Sequence, residues 1–358
     1  MRDSERFCQR LGIRYPIIQA PMAGVSTPAL AAAVAEAGGL GSLGIGSSDM
    51  PKAREMIRQT RALTAAPFNV NVFCHAPASR DAARENAWLA HLAPLFAEVG
   101  IAPPTRLEEI YTSFLEDSDT FDMLLERPPA VVSFHFGLPS AECIAALRER
   151  GVVTMATATS LAEAQQIAQS GVEAIVAQGH EAGGHRGVFE PDAEDENLST
   201  AELVRLLVAQ TSLPVIAAGG IMEGRDIRAV LDQGAVAVQM GTAFVPCPES
   251  AADESYRRNL LSARANTTRM TRVLSGRPAR GMVNRLIEHG EAPGSPVPAD
   301  YPLAYDAAKQ LDAASRNAGP DLRDEFAAQW AGTGAPRVRE LPAGVLIEAL
   351  VSEWRSGS

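Results

Sequence analysis

Short, nearly unbroken apolar runs recur along the chain, most of them separated by segments long enough for a helix. They fall at 15–20 (YPIIQA), 40–44 (LGSLG), 68–73 (FNVNVF), 131–136 (VVSFHF), 152–157 (VVTMAT), 174–178 (AIVAQ), 214–218 (PVIAA) and 235–240 (AVAVQM). Continuous rather than alternating apolarity is the pattern of parallel strands covered by helices. Between them, 27–37 is Ala-rich, with Thr27 placed to cap and Pro28 in the first turn. Segment 160–169 opens with Ser160 and Glu163 at capping-box spacing. Helices at 199–209 and 223–232 lead into the last two strands. Eight strands alternating with helices, with Gly and polar residues at successive carboxyl ends, predict a closed TIM (β/α)8 barrel. A doubly wound open sheet is the alternative.

Two stretches exceed ordinary barrel connections. Segment 74–130 carries helical patterns at 79–97 and 106–126, interrupted by Pro103-Pro104, and reads as helices flanking the barrel. Segment 246–333 follows the eighth strand and reads as a small, mainly helical lid or substrate domain. Residues 340–355 have the apolar spacing of a final helix. The expected division is a barrel at 1–245, a lid at 246–333 and a C-terminal segment at 334–358 packed back on the barrel.

Composition narrows the function. The chain of 358 residues is 46% hydrophobic, enough for a sizeable core. Its net charge of −11 makes nucleic acid and anionic membrane poor partners. Cys8, Cys74, Cys143 and Cys247 are scattered without a CxxC pair, as expected of reduced thiols in a cytoplasmic protein. The polar start MRDSERFCQRLG lacks the apolar core of a signal peptide, and no apolar run reaches the ~18 residues of a membrane span.

Candidate chemistry clusters at the strand ends. After strand one comes QAPMAG (19–24), where Pro removes an N–H and Gly lets backbone approach a flat ligand. An ordinary tight turn is the plainer reading. After strand six, QGHEAGGHRG (178–187) crowds two imidazoles and a glycine pair where a barrel places its active site. Two histidines five apart with one carboxylate do not make a zinc motif, so no metal is expected. AAGGI (217–221) and QMGT (239–242) follow strands seven and eight, the ends that commonly bind phosphate through backbone N–H groups. Asn69 and Asn71 share a facing on strand three, as do Ser133, His135 and Gly137 on strand four. A satisfied core imidazole is the plainer reading of His135, and a backbone cap that of Asn71. Tyr301, Tyr305 and Lys309 are four apart, which on a helix puts two hydroxyls and an ammonium along one face.

Taken together and in order, QAPMAGVSTPALAAAVAEAGGLG, VSFHFGLP, QGHEAGGHRG, PVIAAGGI and QMGTAF resemble the nitronate monooxygenases, formerly called 2-nitropropane dioxygenases. Within that family they most resemble the bacterial class I enzymes that oxidise propionate 3-nitronate. The resemblance covers 15–242 and reaches the YPLAYDAAK segment at 301–309. It implies FMN on the barrel, lined by Pro21, Met22, Asn71, Gln178, Gly183, Gly220, Gln239, Met240, Gly241 and Thr242. It puts the phosphate against Gly183, Gly220, Gly241 and Thr242. It makes His185 the active-site histidine and His135 its partner, leaves His180 peripheral, and turns Tyr301, Tyr305 and Lys309 toward a small anionic nitronate. Oxidation by molecular oxygen through a flavin semiquinone, giving malonic semialdehyde with nitrite and nitrate, follows from the same resemblance. A monomer or weak homodimer is expected. The rivals are an NAD(P)H-dependent FMN reductase acting on a quinone or enoyl thioester, and a non-catalytic flavin or phosphate-ligand sensor.

Overall fold

The computed structural model describes residues 3–319 and 321–356. The outermost residues of the expected division, 1–2 and 357–358, lie outside the described residues. All eight expected strands form: Ile17–Gln19, Gly41–Gly44, Phe68–Phe73, Val131–His135, Val153–Ala158, Ala174–Gln178, Val215–Ala218 and Ala237–Met240. All pair in parallel, the first against the eighth, and a bridge between Ile18 and Leu40 joins the first to the second. That bridge closes the barrel and removes the open-sheet alternative.

The apolar runs explain themselves in this arrangement. Outward side chains such as Leu43, Val70, Val132 and Val238 are buried under the surrounding helices. Inward ones such as Ile18, Val131, Met155, Val176 and Ile216 fill the lower barrel, closed from beneath by Phe7 and Leu11 of helix Asp3–Leu11. Gly41 is dictated by close approach, because a Cβ there would stand 2.0 Å from the Ala31 carbonyl of helix Pro28–Glu36. Helix Thr200–Gln210 starts at Ser199 with a complete capping box to Glu202. At Ser160 the box is half made. Its hydroxyl accepts from the Glu163 N–H, but the Glu163 carboxylate turns to the N–H groups of Thr159 and Phe189.

The insertions depart from expectation in three places. Helix Ala82–Glu98 forms, but in the second helical segment only Ser118–Glu126 is helical. The chain from 106 to 117 is held irregular by tertiary bonds: Glu108 N–H to Asp306, and Phe114 N–H to the Phe73 carbonyl. Helix Ala82–Glu98 packs less on the barrel than in a second core with helices Arg285–Gly290 and Leu303–Ser315, around Trp88, Phe96, Leu286 and Phe326. Finally, the segment after strand eight is mostly helical but contains an antiparallel hairpin, Thr268–Thr271 with Ala279–Met282. The hairpin pairs with Gly184–His185 from the loop after barrel strand six, so a three-stranded sheet straddles the barrel mouth. The final helix runs over Ala343–Ser356 and buries Leu346, Ile347 and Leu350 against the barrel. Among the described residues, no helix is long and apolar enough to cross a membrane.

Candidate active site

A cavity of about 510 Å³ lies across the carboxyl ends of the strands, beneath the inserted segment. Every residue that the resemblance assigned to cofactor or substrate is on its wall: Pro21, Met22, Asn71, His135, Gln178, Gly183, His185, Gly220, Gln239 to Thr242, Tyr301, Tyr305 and Lys309. His180 is not. The two asparagines of strand three share a face and both donate to the Ser133 hydroxyl, but they lie at different depths in the barrel. Asn71 reaches the cavity and donates to Ser133, whereas Asn69 lies fully buried one layer down.

One end of the cavity is made of backbone. The N–H groups of Gly183, Gly220, Gly241 and Thr242 donate to no protein acceptor among the described residues. Gly220 holds a positive φ of 69°. The return segment, made of the end of the insertion and the residues after it, presses on these loops. Gly332 N–H donates to Thr242 Oγ1 at 3.0 Å, Thr333 N–H donates to the Glu181 carbonyl, and Arg337 donates to the Gly220 carbonyl. Several unsatisfied N–H groups at glycine-rich strand ends are the kind of donor set that can receive a phosphate. Asn71 and the strand-end backbone supply the polar groups and the flat approach that an isoalloxazine ring requires. The residues present therefore fit FMN.

The other end holds the imidazoles and rings. His185 Nε2 meets the buried Ser275 hydroxyl at 2.8 Å, leaving Nδ1 as the nitrogen without a protein partner among the described residues. His135 differs, because both of its nitrogens are engaged. Nε2 donates to the His185 carbonyl at 3.2 Å, which forces Nδ1 to accept from the Thr157 hydroxyl at 3.0 Å. Gln178 donates to the same His185 carbonyl and accepts from the Gly187 N–H. Two side chains and a strand of the hairpin thus fix the His185 backbone. Burial, the other imidazole and the Arg277 guanidinium hold His185 at about 3; burial holds His135 at about 4. Both are neutral at physiological pH.

Tyr305 and Lys309 lie one turn apart on helix Leu303–Ser315, as their spacing required. Tyr301 does not share that helix. Pro302 caps it, and Tyr301 stands in the turn before it, its N–H donating to Asp300. The fold nonetheless brings all three together: the Tyr301 and Tyr305 rings lie 5.5 and 6.0 Å from the His185 ring. Lys309 Nζ sits 5.3 Å from the rings of Tyr111 and Tyr305, and no carboxylate pairs with it among the described residues. Burial pushes the hydroxyls of Tyr301 and Tyr305 well up, so they remain donors. Sequence reasoning missed Tyr111, Thr157, Ser275, Trp330 and Gly332. Trp330 packs 5.0 Å from His185. None of the five belongs to a spacing pattern; Tyr111 fell inside an expected helix.

An eight-stranded barrel whose mouth joins a rim of unpartnered glycine N–H groups to a neutral histidine, and to an ammonium without a carboxylate among the described residues, has the layout of a barrel enzyme. The comparisons with known proteins specify which. The family model described as nitronate monooxygenase matches residues 4–353. A nitronate monooxygenase of Pseudomonas aeruginosa is 56% identical over 352 residues, covering 98% of this chain and 99% of that protein. One of Paraburkholderia phytofirmans is 57% identical, covering 96% and 93%. The crystal structure of nitroalkane oxidase from Streptomyces ansochromogenes superposes with a TM-score of 0.87 at 39% identity, covering 96% of both chains. The chain belongs to the nitronate monooxygenase family. It is an oxidoreductase, and its family is one of FMN-binding flavoenzymes.

Proposed function

We propose that this enzyme oxidises propionate 3-nitronate with molecular oxygen, giving malonic semialdehyde with nitrite and nitrate, and other alkyl nitronates less well. It acts in the cytoplasm as a monomer or weak homodimer. The observation that carries the substrate is Lys309: an ammonium that no carboxylate pairs among the described residues, held between two aromatic rings, in the same cavity as the His185 nitrogen that none of those residues bonds. An ammonium so placed favours a ligand with a second anionic group.

The chain's residues divide the work. The N–H groups of Gly183, Gly220, Gly241 and Thr242 would hold the phosphate of FMN. Pro21, Met22, Asn71, Gln239 and Met240 would line its ring, with Gln178 keeping the loop beside it in shape. When bound, FMN supplies electron acceptance from the nitronate and passage of electrons to oxygen. Lys309 takes the substrate carboxylate, and the Tyr301 and Tyr305 hydroxyls donate to anionic oxygens. His185 faces the nitronate, and its bare Nδ1 is the base when a neutral nitroalkane enters. His135, with both nitrogens spent, positions His185 through its carbonyl.

An oxygen-uptake assay tests this. Propionate 3-nitronate should drive rapid uptake, ethyl nitronate slower uptake, and NADH alone none. Uptake or flavin bleaching driven by NADH instead would favour the reductase. Lys309→Met should raise KM for the carboxylated substrate ~tenfold or more while leaving ethyl nitronate within ~threefold, as expected when an anchoring charge is lost. Equal effects on both substrates reject the anchoring role.

A further inference from the structure

Two arginines among the described residues are almost wholly buried, and their charges are met differently. Arg186, 1% exposed, makes a two-pronged ion pair with Asp195. Arg277, 3% exposed, has no carboxylate within ion-pairing distance among the described residues. It donates to the Val188 carbonyl, and its Nε has no acceptor. An unpaired buried charge is expensive, so something must offset it.

What faces Arg277 is the back of the substrate pocket. Its guanidinium lies 4.4 Å over the Phe136 ring and 6.0 Å from that of Tyr301. Phe136 stands between the cation and the imidazoles, 4.5 Å from His135 and perpendicular to His185 at 5.5 Å. The chain holds this bulky residue at a φ of +74°, a conformation it adopts only under constraint. One aromatic ring therefore keeps a fixed positive charge out of contact with the imidazoles while leaving it close to them. The other groups around Arg277 are Asp300, Glu190, Arg272 and His75. Asp300 accepts from the N–H groups of Ser79 and Tyr301 and, with Glu190, offsets part of the charge from beyond ion-pairing distance, while Arg272 is paired with Asp192. His75 is held neutral, at about 4, by burial and by Arg277 itself.

We propose that Arg277 is a positioning residue that makes the pocket select anions, acting through the low-dielectric layer of Phe136 and Tyr301 rather than by touching the substrate. Charge felt across such a layer is weakly screened, so an entering anion is stabilised where a neutral molecule of the same shape is not. This rests on the nitronate reading for the identity of the anion, but not for the preference itself.

The test compares Arg277→Met, which keeps an unbranched stem and loses the charge, with Arg277→Lys, which keeps the charge. Arg277→Gln replaces methionine if that variant does not retain flavin. The readout independent of turnover is malonate, an unreactive dianion, titrated by its perturbation of bound-flavin absorption. Loss of the charge should weaken malonate binding ~tenfold, and lysine should restore it to within ~threefold of wild type. In turnover, KM for propionate 3-nitronate should rise by a similar factor with kcat little changed, while neutral nitroethane, uncharged on entry, keeps its KM. Unchanged malonate binding in the neutral variant overturns the proposal. So does joint loss of flavin and stability in both variants, which would make Arg277 a structural bolt for the 186–189 loop. If wild type ignores nitronates yet binds malonate in an Arg277-dependent way, the activity reading falls and this inference stands.

Discussion

At the scale of single residues, the neutral histidines are the feature with the clearest thermodynamic signature. Burial lowers His185 to about 3 and His135 to about 4, against about 6.5 in the unfolded chain. Above 6.5 neither state binds the proton, and the full stability is present. As pH falls from 6.5 toward 4, the unfolded chain takes up protons that the folded protein refuses, so stability falls across that window. His185→Gln should flatten the fall in denaturant midpoint between pH 6.5 and 4; an unchanged slope would mean that the imidazole takes up its proton as readily in the fold as in the unfolded chain. Nitrogen NMR of labelled histidine should show both rings neutral at pH 6. Residue-level legibility followed chain position. The glycines and His185 were visible because they sit directly after apolar strands, where a barrel exposes whatever follows. Ser275, Arg277 and Trp330 were not, because their importance comes from a hairpin and a return segment that the chain brings back from far along the sequence.

At the scale of elements, strands and their covering helices were legible because an apolar run buried on both faces leaves no other reading. The hairpin was not. ARGM (279–282) has no apolar alternation, and its barrel-side partner is two residues long. Pairing of this kind is specified by tertiary contact, not local pattern. The same logic hid the irregular 106–117 segment, whose apolar spacing suited a helix until Asp306 and Phe73 took its backbone. Close helix-to-strand packing at Gly41 gives a direct test. Gly41→Ala forces helix Pro28–Glu36 away from the second strand and should cost ~1–3 kcal/mol, read from denaturant unfolding. A change within ~0.5 kcal/mol would show that the helix yields freely.

At the scale of the whole molecule, two cores meet at one cavity: the barrel's, and that of the inserted segment with helix Ala82–Glu98. The return segment ties them, since Gly332, Thr333 and Arg337 reach the loops after strands eight, six and seven in turn. Ligand that fills the glycine rim should therefore stabilise both. Adding FMN to apoprotein at about a hundred times its dissociation constant should raise stability by ~2.7 kcal/mol. Hydrogen exchange should slow together in 183–187, 268–282 and 329–334. Protection confined to the barrel loops would mean that the two cores respond separately.

The small sheet at the barrel mouth carries a further consequence. Because His185 is itself a ladder residue opposite Ala279, its main chain belongs as much to the insertion as to the barrel. Grafting 246–333 from one relative onto the barrel of another exchanges more than a cover. Such a chimaera inherits a new seat for His185, and reaction specificity should travel with the transplanted hairpin, while cofactor affinity should change as well, because Gly332 and Thr333 of the graft bond to the loops of the glycine rim.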